Sequence, residues 1–354
     1  MTLSLSRSWR LGEPVCGLFD FMKSLASSNT LALVLYAFIS VTATQAVAQP
    51  QPGSDNDAPS AENLMRHVYV LADDSMRGRG TQSDGYDMAA RYVAETFRQH
   101  GVIPELVRSD SNIERYFHQF GFEVEASDGR RFPMESYNVV GSVPGTNPEL
   151  SSEQVVVGAH LDHMGIVDGE ILNGASDNAS GVAVMLEVAR LISRSPPSRT
   201  VVFVAFGAEE WGLLGSIEFV ESIADNKLNV VAHVNIDDVG HLRTGPIGRP
   251  LVAVLHERSL CLELYNLVRA HGDRHGVAIT DQYRDDVFTR SDHYSFYQAG
   301  IPVVDFGSGG EHEWLHTPQD DPEEMDGAQL QKVATVVYET VRTFSEEIDR
   351  CGSR

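Results

Sequence analysis

Apolar positions along the chain fall into two alternating rhythms. Continuous runs over 155–158, 201–206, 230–236 and 301–306 have the length and the Val, Ile and Phe content of strands covered on both faces. Between them apolar residues recur at helical spacing. Over 181–195 they are Val182, Met185, Leu186, Val188, Ala189 and Ile192, one face of a helix. Further helices are predicted over about 213–223, 259–271, 291–298 and 325–347. Upstream, 60–71 sets Leu64, His67, Val68 and Leu71 on one face, and a helix over about 86–100 stops at Gly101, a helix-ending residue. A loop containing Gly and Arg, 73–85, separates these two. Ser127-Asp128-Gly129 marks a hairpin turn between the runs FGFEVE and RFPMESYNVVGSV. Strands alternating with helices predict an α/β protein, a three-layer α/β/α sandwich on a mostly parallel central sheet. No repeat or long linker interrupts it, so 60–354 reads as one domain.

The first 48 residues follow a different pattern. Lys23 precedes the apolar run LALVLYAFISV, and Ala46-Val47-Ala48 forms a small-x-small cleavage pattern ahead of Gln49-Pro50. Residues 1–48 are therefore expected to be a signal peptide, with Met22 an alternative start. The apolar run is short for a membrane span of ~20 residues, which favours cleavage and export to the periplasm or the medium. Residues 49–59, rich in Pro, Gly, Ser and Asp, read as a flexible leader. Export permits a disulfide between Cys261 and Cys351, but their spacing does not show that they meet. No Cys-x-x-Cys occurs to suggest a thiolate zinc site. Acids outnumber bases, 50 Asp+Glu against 27 Lys+Arg, for a net charge of −23. Nucleic acid is excluded as a partner, because phosphate contacts need Lys and Arg. Stable membrane association after cleavage is not expected either.

Acids and imidazoles gather where the predicted strands end. The 201–206 run leads through Gly207-Ala208 to Glu209-Glu210. The 155–158 run leads into Gly158-Ala159-His160-Leu161-Asp162-His163, and Asn173-Gly174-Ala175-Ser176-Asp177-Asn178 opens the next helix. Asp237-Asp238 follows 230–236, and His316-Thr317-Pro318 follows 301–306 after a Gly-rich loop. Each has an ordinary reading alone: a structural His, a helix cap at Asp177, a turn at Asp237, a solvated acidic pair at 209–210. Together they converge on one rim of the sheet, where open α/β sheets bind ligands. Imidazole with carboxylate suits zinc. Five ligands sharing one carboxylate give each of two zincs three protein ligands, with the metals about 3.5–4 Å apart.

In this order the motifs resemble the zinc exopeptidase family of bacterial leucyl aminopeptidase, aminopeptidase Y and glutamate carboxypeptidase, of which glutaminyl cyclase is a relative. The likeness runs from about Leu71 to the C-terminal helix. It implies that His160 and Asp237 bind one zinc, that Glu210 and His316 bind the other, and that Asp177 bridges them. It implies that Asp162 orients His160. Glu209 is implied to be the general base, taking a proton from a zinc-bound water and passing it to the leaving amine. Thr289-Arg290-Ser291-Asp292-His293, with Gly300-Ile301-Pro302, is implied to line the substrate pocket, and His293 and Tyr294 are candidates for oxyanion stabilisation. Two features depart from the family. Asp238 stands where Met is usual, and 101–155 is too short for an inserted protease-associated domain. The expected function is removal of N-terminal residues from peptides by a dizinc aminopeptidase, with other divalent metals as substitutes. Glutaminyl cyclisation is one alternative, and a non-catalytic binding role is another. The presence of both His160 and Asp237 counts against the cyclase, whose enzymes lack part of that pair.

Overall fold

The computed structural model describes residues 57–104, 113–125, 129–241, 243–244, 250–256, 261–280, 288–307, 313–346 and 351. The expected signal peptide, most of the leader and the first two residues of the Ser127-Asp128-Gly129 turn lie outside these residues. The chain divides into two compact units. In one of them the described residues are 123–125 and 129–132, where Arg131 pairs with Glu123 at 3.5 Å and with Glu125 at 3.2 Å. The other, Gly53–Phe122 with Pro133–Arg354, carries the site.

The strands along the chain are β1 (Ile103–Pro104), β2 (Phe117–Glu125), β3 (Arg131–Val143), β4 (Glu153–His160), β5 (Gly165–Val167), β6 (Glu170–Leu172), β7 (Thr200–Phe206), β8 (Asn229–Ile236), β9 (Arg243–Thr244), β10 (Pro250–His256), β11 (Ala278–Thr280) and β12 (Val303–Gly307). Among the described residues ten of these form one sheet in the order β1-β3-β7-β4-β8-β12-β10-β11, with β2 on β3 and β9 on β10. The inner strands β7, β4, β8 and β12 run parallel. β3 and β10 flank them antiparallel. The predicted parallel centre is present, while β9, β10 and β11 and the β5–β6 hairpin are additions to the predicted set.

The helices are α1 (Ala61–Leu71), α2 (Asp84–Gln99), α3 (Gly181–Arg194), α4 (Leu214–Asn226), α5 (Leu262–His275), α6 (His293–Gln298) and α7 (Gly327–Glu346). Ser60 and Ser83 cap α1 and α2 by accepting from the amides of Asn63 and Tyr86, satisfying donors that a helix start leaves open. β7 shows why the architecture has three layers. Val201, Phe203 and Ala205 join a core with α1, α2, α3, α5 and α7, whereas Val202, Val204 and Phe206 join a second core with α4 and α6. Every residue of β7 is buried, as a strand covered on both faces requires. In register, His160 of β4 pairs with Phe206 of β7, Gly158 with Asn235 of β8, and Phe306 of β12 with Ile236. The carboxyl ends of these four strands are therefore level, and the residues that follow them share one rim.

Candidate metal centre

His160 is the last residue of β4 and is buried. Its Nε2 lies 3.1 Å from Asp177 Oδ1 and 3.1 Å from Asp237 Oδ1. Asp237 follows β8, where its amide donates to Phe306 O. Asp177 sits in a kinked turn, Ala175–Ser180, just ahead of α3, with non-helical backbone at Asp177 and Asn178. Its other oxygen, Oδ2, lies 3.0 Å from His316 Nε2 and 3.6 Å from His163 Nδ1. Glu210 Oε1 completes this second group, 3.1 Å from His163 Nδ1 and 3.4 Å from His316 Nε2. The structure thus assembles two donor groups, His160–Asp177–Asp237 and His163–Asp177–Glu210–His316, each with its ligand atoms within 4.8 Å of one another. Asp177 belongs to both and turns one oxygen to each.

The donor set fits metal. Zinc bonds of ~2.0–2.1 Å in a tetrahedron place neighbouring ligand atoms about 3.3 Å apart. The separations above straddle that value. The electrostatics ask for cations at the same place. Burial lowers the His316 pKa, but Asp177 and Glu210 outweigh it and raise it to about 10. Burial likewise opposes protonation of His160, and Asp237, Glu209 and Asp177 drive it well above the ordinary value. In the metal-free chain, protons on these imidazoles supply positive charge that a bound ion would otherwise bring.

Glu209 lies beside these groups and in neither. Burial pushes its carboxyl well above the usual range; His160 opposes the shift, and Glu210, Asp292 and Asp237 reinforce it. Its position is set by Asp162, whose carboxylate accepts from the amides of Glu209 (3.0 Å) and Glu210 (3.4 Å) and from Thr81 Oγ1 (2.9 Å). The expectation for Asp162 is changed by this. The contact to His160 Nδ1, at 3.1 Å, comes from the Asp162 backbone carbonyl, while the carboxylate holds the turn that carries both glutamates.

Several supports carried no local signature. The buried Arg79 guanidinium donates to the carbonyls of Leu71, Leu161, Asn173 and Gly174. Asp320 accepts from the amides of Ser176 (2.8 Å) and Asp177 (3.1 Å). Asn178, joined to Asp177 by a cis peptide, donates to Ile236 O and accepts from the amides of Asp238 and Gly181. A Cβ at Gly181 would lie 2.2 Å from Asn178 Oδ1, so only glycine fits there. Asp238 accepts a hydrogen bond from Ser176 Oγ, which ties it to the Asp177 turn. His163 stands in the string that begins at Gly158, but its type alone does not tell a ligand from a core histidine. His293 Nε2 bonds Phe288 O and its Nδ1 lies 3.7 Å from Asp305, while Tyr294 packs on Phe288 and Tyr297. Asp292, next to His293, is buried, and burial pushes its carboxyl up to about 7, against the pull of His160.

A mostly parallel α/β sandwich with paired His and carboxylate donors on its carboxyl rim is the framework of a metallohydrolase. The chain belongs to peptidase family M28, whose profile matches residues 138–341. It is 31% identical over 220 residues to aminopeptidase YwaD of Bacillus subtilis, an alignment covering 58% of this chain and 45% of that protein. It is 25% identical over 315 residues to a probable zinc metalloprotease of Pyrenophora tritici-repentis, covering 77% of this chain and 62% of the relative. The chain thus spans less than two thirds of the length of these relatives. The fold is shared with an aminopeptidase from Aneurinibacillus sp. strain AM-1, with a TM-score of 0.65, 18% identity, and coverage of 84% and 96% of the two chains. It is also shared with a glutaminyl cyclase from Fimbriiglobus ruber, with a TM-score of 0.64, 18% identity, and coverage of 83% and 99%.

Proposed function

We propose that this protein is an exported metal-dependent aminopeptidase with two zinc ions on the rim of its sheet, held within a catalytic domain over 60–354. The observation that carries the proposal is the pair of donor groups sharing Asp177, with Glu209 beside them and outside both. Relatives named aminopeptidase and zinc metalloprotease support it. His160 and Asp237 would hold one ion and Glu210 and His316 the other, each with one oxygen of Asp177. Bound zinc supplies a lowered pKa for water and a polarised scissile carbonyl. Glu209 takes the proton of the attacking water and returns it to the leaving amine. Burial raises the proton affinity of Glu209, which suits a group that must hold a proton between the two transfers. Asp162 keeps that carboxylate in place through the amides of 209 and 210. The substrate is a peptide with a free N-terminus. Residues 1–48 direct export, and no helix among the described residues is long and apolar enough to cross a membrane.

Glu209→Gln tests the reading. The purified wild-type protein should contain about two zincs per chain by elemental analysis and release amines from amino-acid p-nitroanilides. The variant should keep its metal and lose at least ~10²-fold in turnover, the scale of general-base catalysis. A wild type without transition metal, or a variant of undiminished turnover, overturns the assignment.

A further inference from the structure

We infer that His163 is a fourth protein ligand of the Glu210/His316 site, so that the two metal positions are unequal. The inference rests on the two-zinc reading above and adds a residue that the expected five-ligand set omits. His163 is 1% exposed, and neither of its ring nitrogens makes a hydrogen bond. A buried imidazole that serves only packing normally satisfies its nitrogen, as His67 does with the Tyr92 hydroxyl and His293 does with Phe288 O. His233 is also without such a bond, but it stacks on Phe296 and belongs to neither donor group. His163 Nδ1 instead faces the two oxygens that face His316 Nε2. It is 3.1 Å from Glu210 Oε1 and 3.6 Å from Asp177 Oδ2, where His316 Nε2 is 3.4 Å and 3.0 Å from the same atoms. Glu210 Oε1 is itself buried and without a hydrogen bond. The four donor atoms lie within 4.8 Å of one another, and the four separations above suit ligands of one zinc.

The chain builds this place for the ring. The His163 amide donates to Arg79 O at 3.3 Å. Gly174 lies against the imidazole, where a Cβ would come within 2.6 Å of ring carbon Cγ. The His316 ring meets His163 edge-on at 5.5 Å between centroids. Two imidazoles and two carboxylates fill a tetrahedral shell, the arrangement of sites that retain their metal. The His160–Asp177–Asp237 group has three protein ligands, the number that leaves a position open. His163 therefore makes its site the tighter of the two.

The test is metal affinity. The purified protein, stripped with a chelator, is titrated with Zn²⁺ in competition with a chromophoric chelator of known affinity. Wild type should take two equivalents in two unequal steps. His163→Ala should weaken the tighter step by at least ~10-fold, no less than is lost when only a partner of a ligand is removed. His163→Gln, which keeps a polar side chain of similar length, should show the same weakening and serves if the alanine chain does not fold. Variants that titrate like a two-equivalent wild type overturn the role of His163 and leave the two-zinc reading standing. A wild type that takes up no zinc overturns both.

Discussion

His233 illustrates what burial does to a single residue. Its ring stacks on Phe296 at 3.8 Å between centroids, and burial, helped by His293, pushes its pKa down to about 3. The folded chain therefore keeps this imidazole neutral, whereas the unfolded chain protonates it near its ordinary pKa of about 6.5. Protons then bind preferentially to the unfolded chain below that pH. The stability tied to a neutral His233 is complete above about pH 6.5 and drains away as pH falls toward about 3. By pH 5 the loss is about 2 kcal/mol. Between pH 7.5 and pH 5, urea unfolding of metal-free His233→Phe should lose about 2 kcal/mol less than that of wild type. Equal losses would show that His233 does not titrate as its surroundings require. Single residues also mark how far local reading extends. Glu209 and Glu210 were visible as a pair at a strand end, but their separate environments follow from the Asp162 carboxylate, 47 residues from Glu209 in sequence.

Elements set the precision of the rim. Parallel register levels the ends of β4, β7, β8 and β12, and the connecting turns are then tied to one another by buried polar groups. Arg79 is the largest of these ties. Its guanidinium spans the end of α1, the segment after β4 and the segment before Asp177 through four carbonyls at 2.7–2.9 Å. Burial lowers its pKa to about 10, with Asp177, Asp320 and Asp162 pulling the other way, so it remains charged at neutral pH. Arg79→Met would leave those carbonyls buried and unpaired, at ~1–3 kcal/mol for each group left unsatisfied. Such costs do not add fully, and the expected loss is at least about 3 kcal/mol in denaturant unfolding. A loss below about 1 kcal/mol would show that water or movement replaces the guanidinium. The helices and inner strands were legible because each buries a continuous face. β10 and β11 were not, because short apolar stretches such as theirs match strand and helix patterns alike.

For the whole molecule, the disulfide matters most among the features that spacing left open. Cys261, at the start of α5, is bonded to Cys351 beyond α7, across 90 residues of chain. A cross-link of that length restricts the unfolded chain and typically contributes about 2–4 kcal/mol. Cys351→Ser should therefore lower the unfolding free energy by about that amount, and reductant should lower wild type to match. Denaturation midpoints that coincide for wild type and variant would show that the bond is not formed in solution. A disulfide also accords with the proposed export, since such bonds persist in oxidising compartments.

By itself the sequence determined the α/β class, the parallel centre of the sheet, and the clustering of His, Asp and Glu after the strands. These follow from local rules, because hydrophobic period and strand-end chemistry are written within a few residues. Tertiary structure decided which atoms meet. His160 and Asp237 lie 77 residues apart, and Asp177 and His316 lie 139 apart. Only packing brings their side chains within 3.1 Å. The same packing sends the Asp162 carboxylate to a turn rather than to an imidazole, and it sets His163 among the donors. Side-chain direction depends on neighbours that the local pattern does not contain.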